Sequence, residues 1–282
     1  MNYHRHGLDL AGAYEEACLA ELRALKPGNV HVFADTGETK VADFEASARV
    51  SAPSIGRPGA SVGARILGAI GATHEAIGWN TNLGIVLLCA PLAAAAEARG
   101  ALRAQLGSIL AALDRNDAAD AFEAIRLASP GGLGKAENHD VREPPAVTLR
   151  EAMAEAAARD RIARAYVTDF EDIFEMGLPV LQRAQASGLD EPWCTTAVHM
   201  AFLSRFPDTH IERRLGPQKA EAVRQRAAEI IEAGPPGPAS LATLLALDAE
   251  LKKGDLNPGT SADFTVATLF AAAIMRLPAA GT

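Results

Sequence analysis

A single all-α domain spanning residues 1–282 is what this sequence predicts, on three observations. Apolar residues recur at helical spacing through most of the chain, whereas the two-residue alternation of a half-buried strand is nearly absent. Only Val30-His-Val-Phe33 reads as a short strand candidate. Hydrophobic residues make up 49% of the chain but aromatics only 5%, so the core must be built from Ala, Leu, Ile and Val. Small-residue runs such as Ala93–Ala96, Ala156–Ala158 and Ala271–Ala273 let helix axes approach closely and point to a compact bundle of ten or more helices.

The elements follow in order. Leu10, Tyr14, Cys18, Leu22 and Leu25 share one face of a first helix, which must stop before Pro27. Val62, Ile66, Ile70 and Ile77 mark a second. Thr148-Leu-Arg-Glu151 has the spacing of a capping box and predicts a helix to about Arg159. Ala220, Val223, Ala227, Ile230 and Ile231 define a late helix, ended by Gly234-Pro-Pro-Gly237. Ser240 then opens another through Leu241, Leu244, Leu245 and Leu251. No fixed-period repeat argues for a solenoid, and no stretch is long enough for an interdomain linker.

Composition excludes several classes of function. A net charge of −8 leaves no basic footprint for general nucleic-acid binding. The longest apolar run, Leu83 to Ala96, is broken by Pro91 and falls short of the ~20 residues of a spanning helix. The N-terminus has no apolar stretch of a secretion signal. Three widely spaced cysteines, Cys18, Cys89 and Cys194, form no CxxC pair and read as buried free thiols, which places the protein in a reducing cytoplasm. Small-residue helix faces permit a homodimer without requiring one.

In a helical chain, chemistry belongs in the polar stretches between helices. Five stand out: Lys26-Pro-Gly-Asn-Val-His31, Asn80-Thr-Asn-Leu-Gly84, Gly131-Gly-Leu-Gly-Lys-Ala-Glu-Asn-His-Asp140, Pro207-Asp-Thr-His-Ile-Glu-Arg-Arg214 and Asn257-Pro-Gly-Thr-Ser-Ala-Asp263. Gly131, Gly132 and Gly134 would let a backbone approach a phosphate closely. The run is neither a Walker A loop nor a dinucleotide fingerprint. Glu137 and Asp140 offer oxygen ligands suited to magnesium, and together with His139 they are acid/base candidates. Zinc fits less well, because Gly78 stands where His74-Glu75 would need a second histidine. Lys26 and Gly28 are candidates for a phosphate, with helix C-terminal charge pairing as the bland reading of the lysine. Asn80 and Asn82 read either as a helix N-cap or as contacts to ribose or base. Arg213, beside Asp208 and His210, is a phosphate fork or part of a solvated face. Thr260-Ser-Ala-Asp263 fits a capping box. Asp43 and Ser47 share one helical face and could line the same pocket.

Taken in order, Lys26-Pro-Gly28, Asp43-Phe-Glu-Ala-Ser47, Asn80-Thr-Asn-Leu-Gly84 and Asn257-Pro-Gly-Thr-Ser-Ala-Asp263 resemble the triphosphoribosyl-dephospho-CoA synthase family across nearly the whole chain. The resemblance implies an all-helical enzyme that uses ATP and magnesium and moves the triphosphoribosyl group of ATP to 3′-dephospho-CoA, releasing adenine. The chain departs where the characterised enzymes carry Asn-Thr-His-Lys-Gly, having Asn82 and Leu83 instead of His and Lys. Together with Pro207-Asp-Thr-His-Ile211, this resembles the branch linked to one-carbon and tetrahydromethanopterin metabolism, which implies an aryl-ribitol precursor as an alternative acceptor. A magnesium-dependent N-glycosyl hydrolase and a non-catalytic nucleotide-binding protein remain the competing readings.

Overall fold

The computed structural model describes residues 9–33, 40–131 and 139–277. Among them are fourteen α-helices and no strand. In order they are α1 (Leu10–Leu22), α2 (Val41–Ile55), α3 (Val62–Ile77), α4 (Leu83–Ala96), α5 (Leu102–Ala112), α6 (Arg115–Ala128), α7 (Leu149–Ala156) and α8 (Arg161–Val167). After a π-helical turn at Asp172–Gly177 come α9 (Leu178–Ala186), α10 (Glu191–Arg205), α11 (Thr209–Leu215), α12 (Pro217–Ala233), α13 (Leu241–Lys253) and α14 (Gly259–Arg276). Val30–Phe33, the strand candidate, is a turn instead, with the Val32 amide on the Leu22 carbonyl.

Two helices form the centre. α4 is apolar on every face and buried along nearly its whole length, as a helix without a polar stripe must be. α14 packs against it and is almost as completely buried, through Phe264, Val266, Phe270 and Ile274. Around this pair lie α1 and α10, with α2, α3 and α6 layered outward on one side. Tyr14 of α1 sets its ring edge-on to Phe270 at 5.9 Å, and its hydroxyl meets Ser51 Oγ at 3.1 Å. A smaller apolar cluster joins α10, α11, α12 and α13. α10 serves both clusters, turning Val198 and Phe202 to the main core and Met200 and Leu203 to the other. All three cysteines are buried free thiols.

Local signals decide the ends. The capping box at Thr148 forms as expected, with Glu151 Oε2 accepting the Thr148 amide at 2.8 Å. α7 stops at Ala156, three residues short of Arg159, and Asp160 then caps α8 through the amides of Ile162 and Ala163. Two expectations change. Residues 209–215, read as loop, are helix α11, because Asp208 Oδ1 accepts the His210 and Ile211 amides and starts the turn. The capping box at Thr260–Asp263 does not form, since α14 has already begun at Gly259. Asp208 supplies the cap from outside: its Oδ2 accepts both the amide (2.7 Å) and the hydroxyl (2.8 Å) of Ser261. One buried carboxylate therefore ties two helix starts together.

Candidate active site

The N-termini of α4 and α14 open side by side onto a cleft of about 700 Å³. That is room for a nucleotide-sized ligand. All five polar stretches contribute lining residues. The lining is mixed. Phe122, Ile125, Leu149 and Met153 of α6 and α7 are apolar, and Phe44 and Trp79 add an edge-to-face aromatic pair at 6.2 Å. α11, the start of α8 and the start of α14 present Asp160, His210, Arg213, Arg214, Asn257 and Asp263. Arg159 also faces the cleft. The three arginines and the positive ends of two long helices can meet an anionic ligand there, among six carboxylates in the lining, Glu21, Asp140, Glu155, Asp160, Glu212 and Asp263.

Lys26 does not face the cleft as a free ammonium. It is fully buried, ion-paired with Glu21 and 3.1 Å from Asn29 Oδ1. What reaches the cleft is its partners, Glu21 and Asn29. Asn29 Nδ2 in turn donates to Asn257 Oδ1 at 2.7 Å, linking the first polar stretch to the last. Burial pushes the Glu21 carboxyl up and the Lys26 ammonium down from their usual values, and the pair holds each charge against that pressure. Gly28 lies behind this layer with φ of 81°, and its amide donates to Asp248 Oδ1 at 2.9 Å. A Cβ there would stand 2.7 Å from the Leu256 carbonyl oxygen, so the turn needs glycine.

Asn80 and Asn82 both line the cleft. The cap expected of one of them belongs to Asn80, whose Oδ1 accepts the Leu83 amide at 3.0 Å. Asn82 turns inward, donating to Thr73 Oγ1 at 3.0 Å and leaving its buried Oδ1 without a hydrogen bond. Ser47 sits one step behind, its hydroxyl bonded to that of Thr81 and to the Asp43 carbonyl. Arg213 Nη1 pairs with Asp160 Oδ2 at 2.6 Å, while its buried Nε carries no hydrogen bond. His210 is held neutral by burial and by Arg213 and Arg214, its pKa brought down to about 4.

Gly131, His139 and Asp140 line the cleft as well. Gly132, Gly134 and Glu137 lie outside the described residues. Asp140 is engaged by its neighbour: Arg142 Nε and Nη2 grip its two oxygens at 2.7 and 2.6 Å. Among the described residues no three His, Cys, Asp or Glu side chains gather as a metal site.

Sequence reasoning passed over one group. Asp263, read as a cap, stands one turn into α14 and lines the cleft. Its carboxylate packs on Gly84: a Cβ on that glycine would fall 2.0 Å from Asp263 Oδ2. Burial first, then the carboxylates of Asp208 and Glu21, hold its pKa well above the usual carboxylate range. The signal available in the sequence was a carboxylate and a glycine in two of the family-like motifs.

The described helices and the cleft thus define an all-helical protein with a nucleotide-sized pocket lined by arginines, carboxylates and apolar side chains. Residues 8–281 match the family described as ATP:dephospho-CoA triphosphoribosyl transferase, and the chain belongs to that family. It is similar to 2-(5''-triphosphoribosyl)-3'-dephosphocoenzyme-A synthase of Klebsiella pneumoniae, 36% identical over 104 residues. That match spans 36% of each protein, so the chain covers about a third of that relative's length. A candidate for the same enzyme from Stutzerimonas stutzeri is 30% identical over 213 residues, 72% of this chain and 66% of the relative. The crystal structure of a triphosphoribosyl-dephospho-CoA synthase candidate from Archaeoglobus fulgidus shares the fold, with a TM-score of 0.63 at 23% identity. The likeness covers 83% of this chain and 99% of that one.

Proposed function

We propose that the protein is a transferase that moves the triphosphoribosyl group of ATP to the hydroxyl of a small acceptor and releases adenine. The single observation that carries this reading is a nucleotide-sized cleft lined by both arginines and aromatic rings in a chain of this family. Arg159, Arg213, Arg214 and two helix N-termini suit a triphosphate. Phe44 and Trp79 suit a planar ring. In the transfer the acceptor oxygen bonds to C1′ as the C1′–N9 bond of ATP breaks. The acceptor loses a proton and adenine gains one. The transition state is oxocarbenium-like, as in glycoside transfer, and direct displacement turns the β linkage of ATP into an α linkage.

The relatives' names point to 3′-dephospho-CoA as the acceptor. An aryl-ribitol precursor of tetrahydromethanopterin is the second acceptor, favoured by Asn82 and Leu83 on the cleft wall and by the α linkage such a product would carry. We place magnesium on the ATP phosphates, with Glu137 as a protein ligand; Asp140 could join it only by releasing Arg142. The buried thiols fit a cytoplasmic setting. The test is to incubate the protein with ATP, magnesium and each acceptor and to measure free adenine. Adenine that requires an acceptor supports transfer. Adenine without an acceptor makes the protein an N-glycosyl hydrolase, and ATP binding with no adenine makes it a nucleotide-binding protein.

A further inference from the structure

Asp263 differs from most carboxylates of the cleft in what it lacks. Glu21 is paired with Lys26, Asp160 with Arg213 and two amides of α8, and Asp140 with Arg142. Among the described residues no hydrogen bond or ion pair engages Asp263, which lies partly buried near the start of α14, against Gly84 of α4. Glu212, also without a side-chain hydrogen bond among the described residues, is half-buried as well, but it stands on the short helix α11 next to Arg213 and no glycine is shaped to receive it. The position of Asp263 is fixed by shape instead. Gly84 offers its bare Cα, where a Cβ would come within 2.5 Å of Asp263 Cγ, and Ile162 Cδ1 closes the same corner at 2.8 Å from that Cβ point. A carboxyl with no partner, held by packing at the wall of a ligand cleft, is a group kept available for the ligand.

We propose that Asp263 is the general acid of the transfer, giving its proton to a ring nitrogen of adenine as the C1′–N9 bond breaks. The electron pair of that bond goes to the purine, which leaves neutral. The acceptor oxygen forms the new bond to C1′, and the acceptor's proton, passed through cleft water, restores Asp263. One proton leaves the acceptor and one arrives on adenine, so no other reactant is needed. The chemistry demands such a group, because a purine anion is a poor leaving group beside an oxocarbenium-like carbon. Burial among Asp208, Glu21 and Asp160 favours the protonated carboxyl that the role requires, and Arg213 opposes it only in part. Gly84 is the positioning residue: it lets the carboxyl lie against the start of α4.

The inference rests on the transferase reading, and its test separates the two. Asp263→Asn keeps the shape of the side chain and removes the acid. With ATP and acceptor, adenine release should fall about 10²–10³-fold. The second substrate is N7-methyl-ATP, whose purine already carries the positive charge that protonation would create. On it the variant should come within about tenfold of wild type, after subtraction of uncatalysed depurination. Gly84→Ala, which displaces the carboxyl, should reproduce both results, whereas a collapsed site would lose both substrates alike. Equal loss on the two substrates, or no loss on ATP, overturns the acid role while leaving the transferase intact. A wild-type protein that releases no adenine from ATP with any acceptor overturns the transferase reading, and the acid role with it.

Discussion

Segments 131–140 and 257–263 both bring glycine and acid to one cleft, yet they are built in opposite ways. Among the described residues of the first, a Cβ on Gly131 would meet nothing within 4 Å and Asp140 is gripped by Arg142, two residues away. In the second, Thr260 bonds to Thr209, Ser261 is held by Asp208, and Asp263 has no hydrogen bond among the described residues. Asp140 satisfies its charge locally. The second segment is fastened by residues some fifty positions away, which frees its one carboxyl for a ligand. Density of reactive residue types is therefore a weaker guide to chemistry than the polar capacity a fold leaves unused.

The sharpest break of this contrast lies in the glycines. Gly84→Ala should lower adenine release about 10²-fold, because the new methyl must push Asp263 aside. Gly131→Ala meets nothing within 4 Å and should stay within about twofold of wild type. A larger loss at Gly131 than at Gly84 in the same assay would return the chemistry to the first segment.

Fastening can be tested next. Asp208 is fully buried and accepts four hydrogen bonds across two helix starts, so Asp208→Ala should cost about 2–3 kcal/mol in urea unfolding. Asp140→Ala, which loses a partly exposed surface pair, should cost under about 1 kcal/mol. For ligand binding, Arg213→Gln should raise the KM for ATP about tenfold and Arg142→Gln less than about threefold. The reverse order would put the triphosphate beside Arg142 rather than Arg213.

The smallest effect concerns the layer behind the second segment. His199 is fully buried, and burial, with Lys26 and His31 nearby, brings its pKa down to about 3. The unfolded chain takes up that proton near its ordinary value of about 6.5. Between these values the unfolded state binds more protons, so the contribution of His199 is complete above pH 6.5 and is lost as pH falls toward 3. The slope should reach about 1.4 kcal/mol per pH unit. His199→Leu should flatten it in urea unfolding at pH 4.5 against pH 7.5. The part that persists includes those of His31 and His210, whose shifts have the same sign.

Much of the fold was legible because helices announce themselves through neighbours three and four residues apart. The capping box at Thr148 and the apolar faces of α1, α3, α12 and α13 are of that kind. The polar stretches were legible too, and all five meet at the cleft. Roles within them were not. Thr260-Ser-Ala-Asp263 has the spacing of a cap whether or not a helix has already begun, and only Asp208, far away in sequence, decides the matter. Lys26 looked available because its partner Glu21 sits across a helix end, outside any helical spacing. Arg213 likewise finds Asp160 fifty-three residues away. Phe44 and Trp79 carried no pattern at all, since an aromatic pair at a cleft wall exists only once α2 and α3 have packed.

The bare Cα of Gly84 against Asp263 has a consequence for descent. While position 263 keeps its carboxyl, selection at position 84 admits only glycine. A lineage that gives up the carboxyl also frees position 84 to acquire a side chain, so the two sites should be inherited and lost as one character.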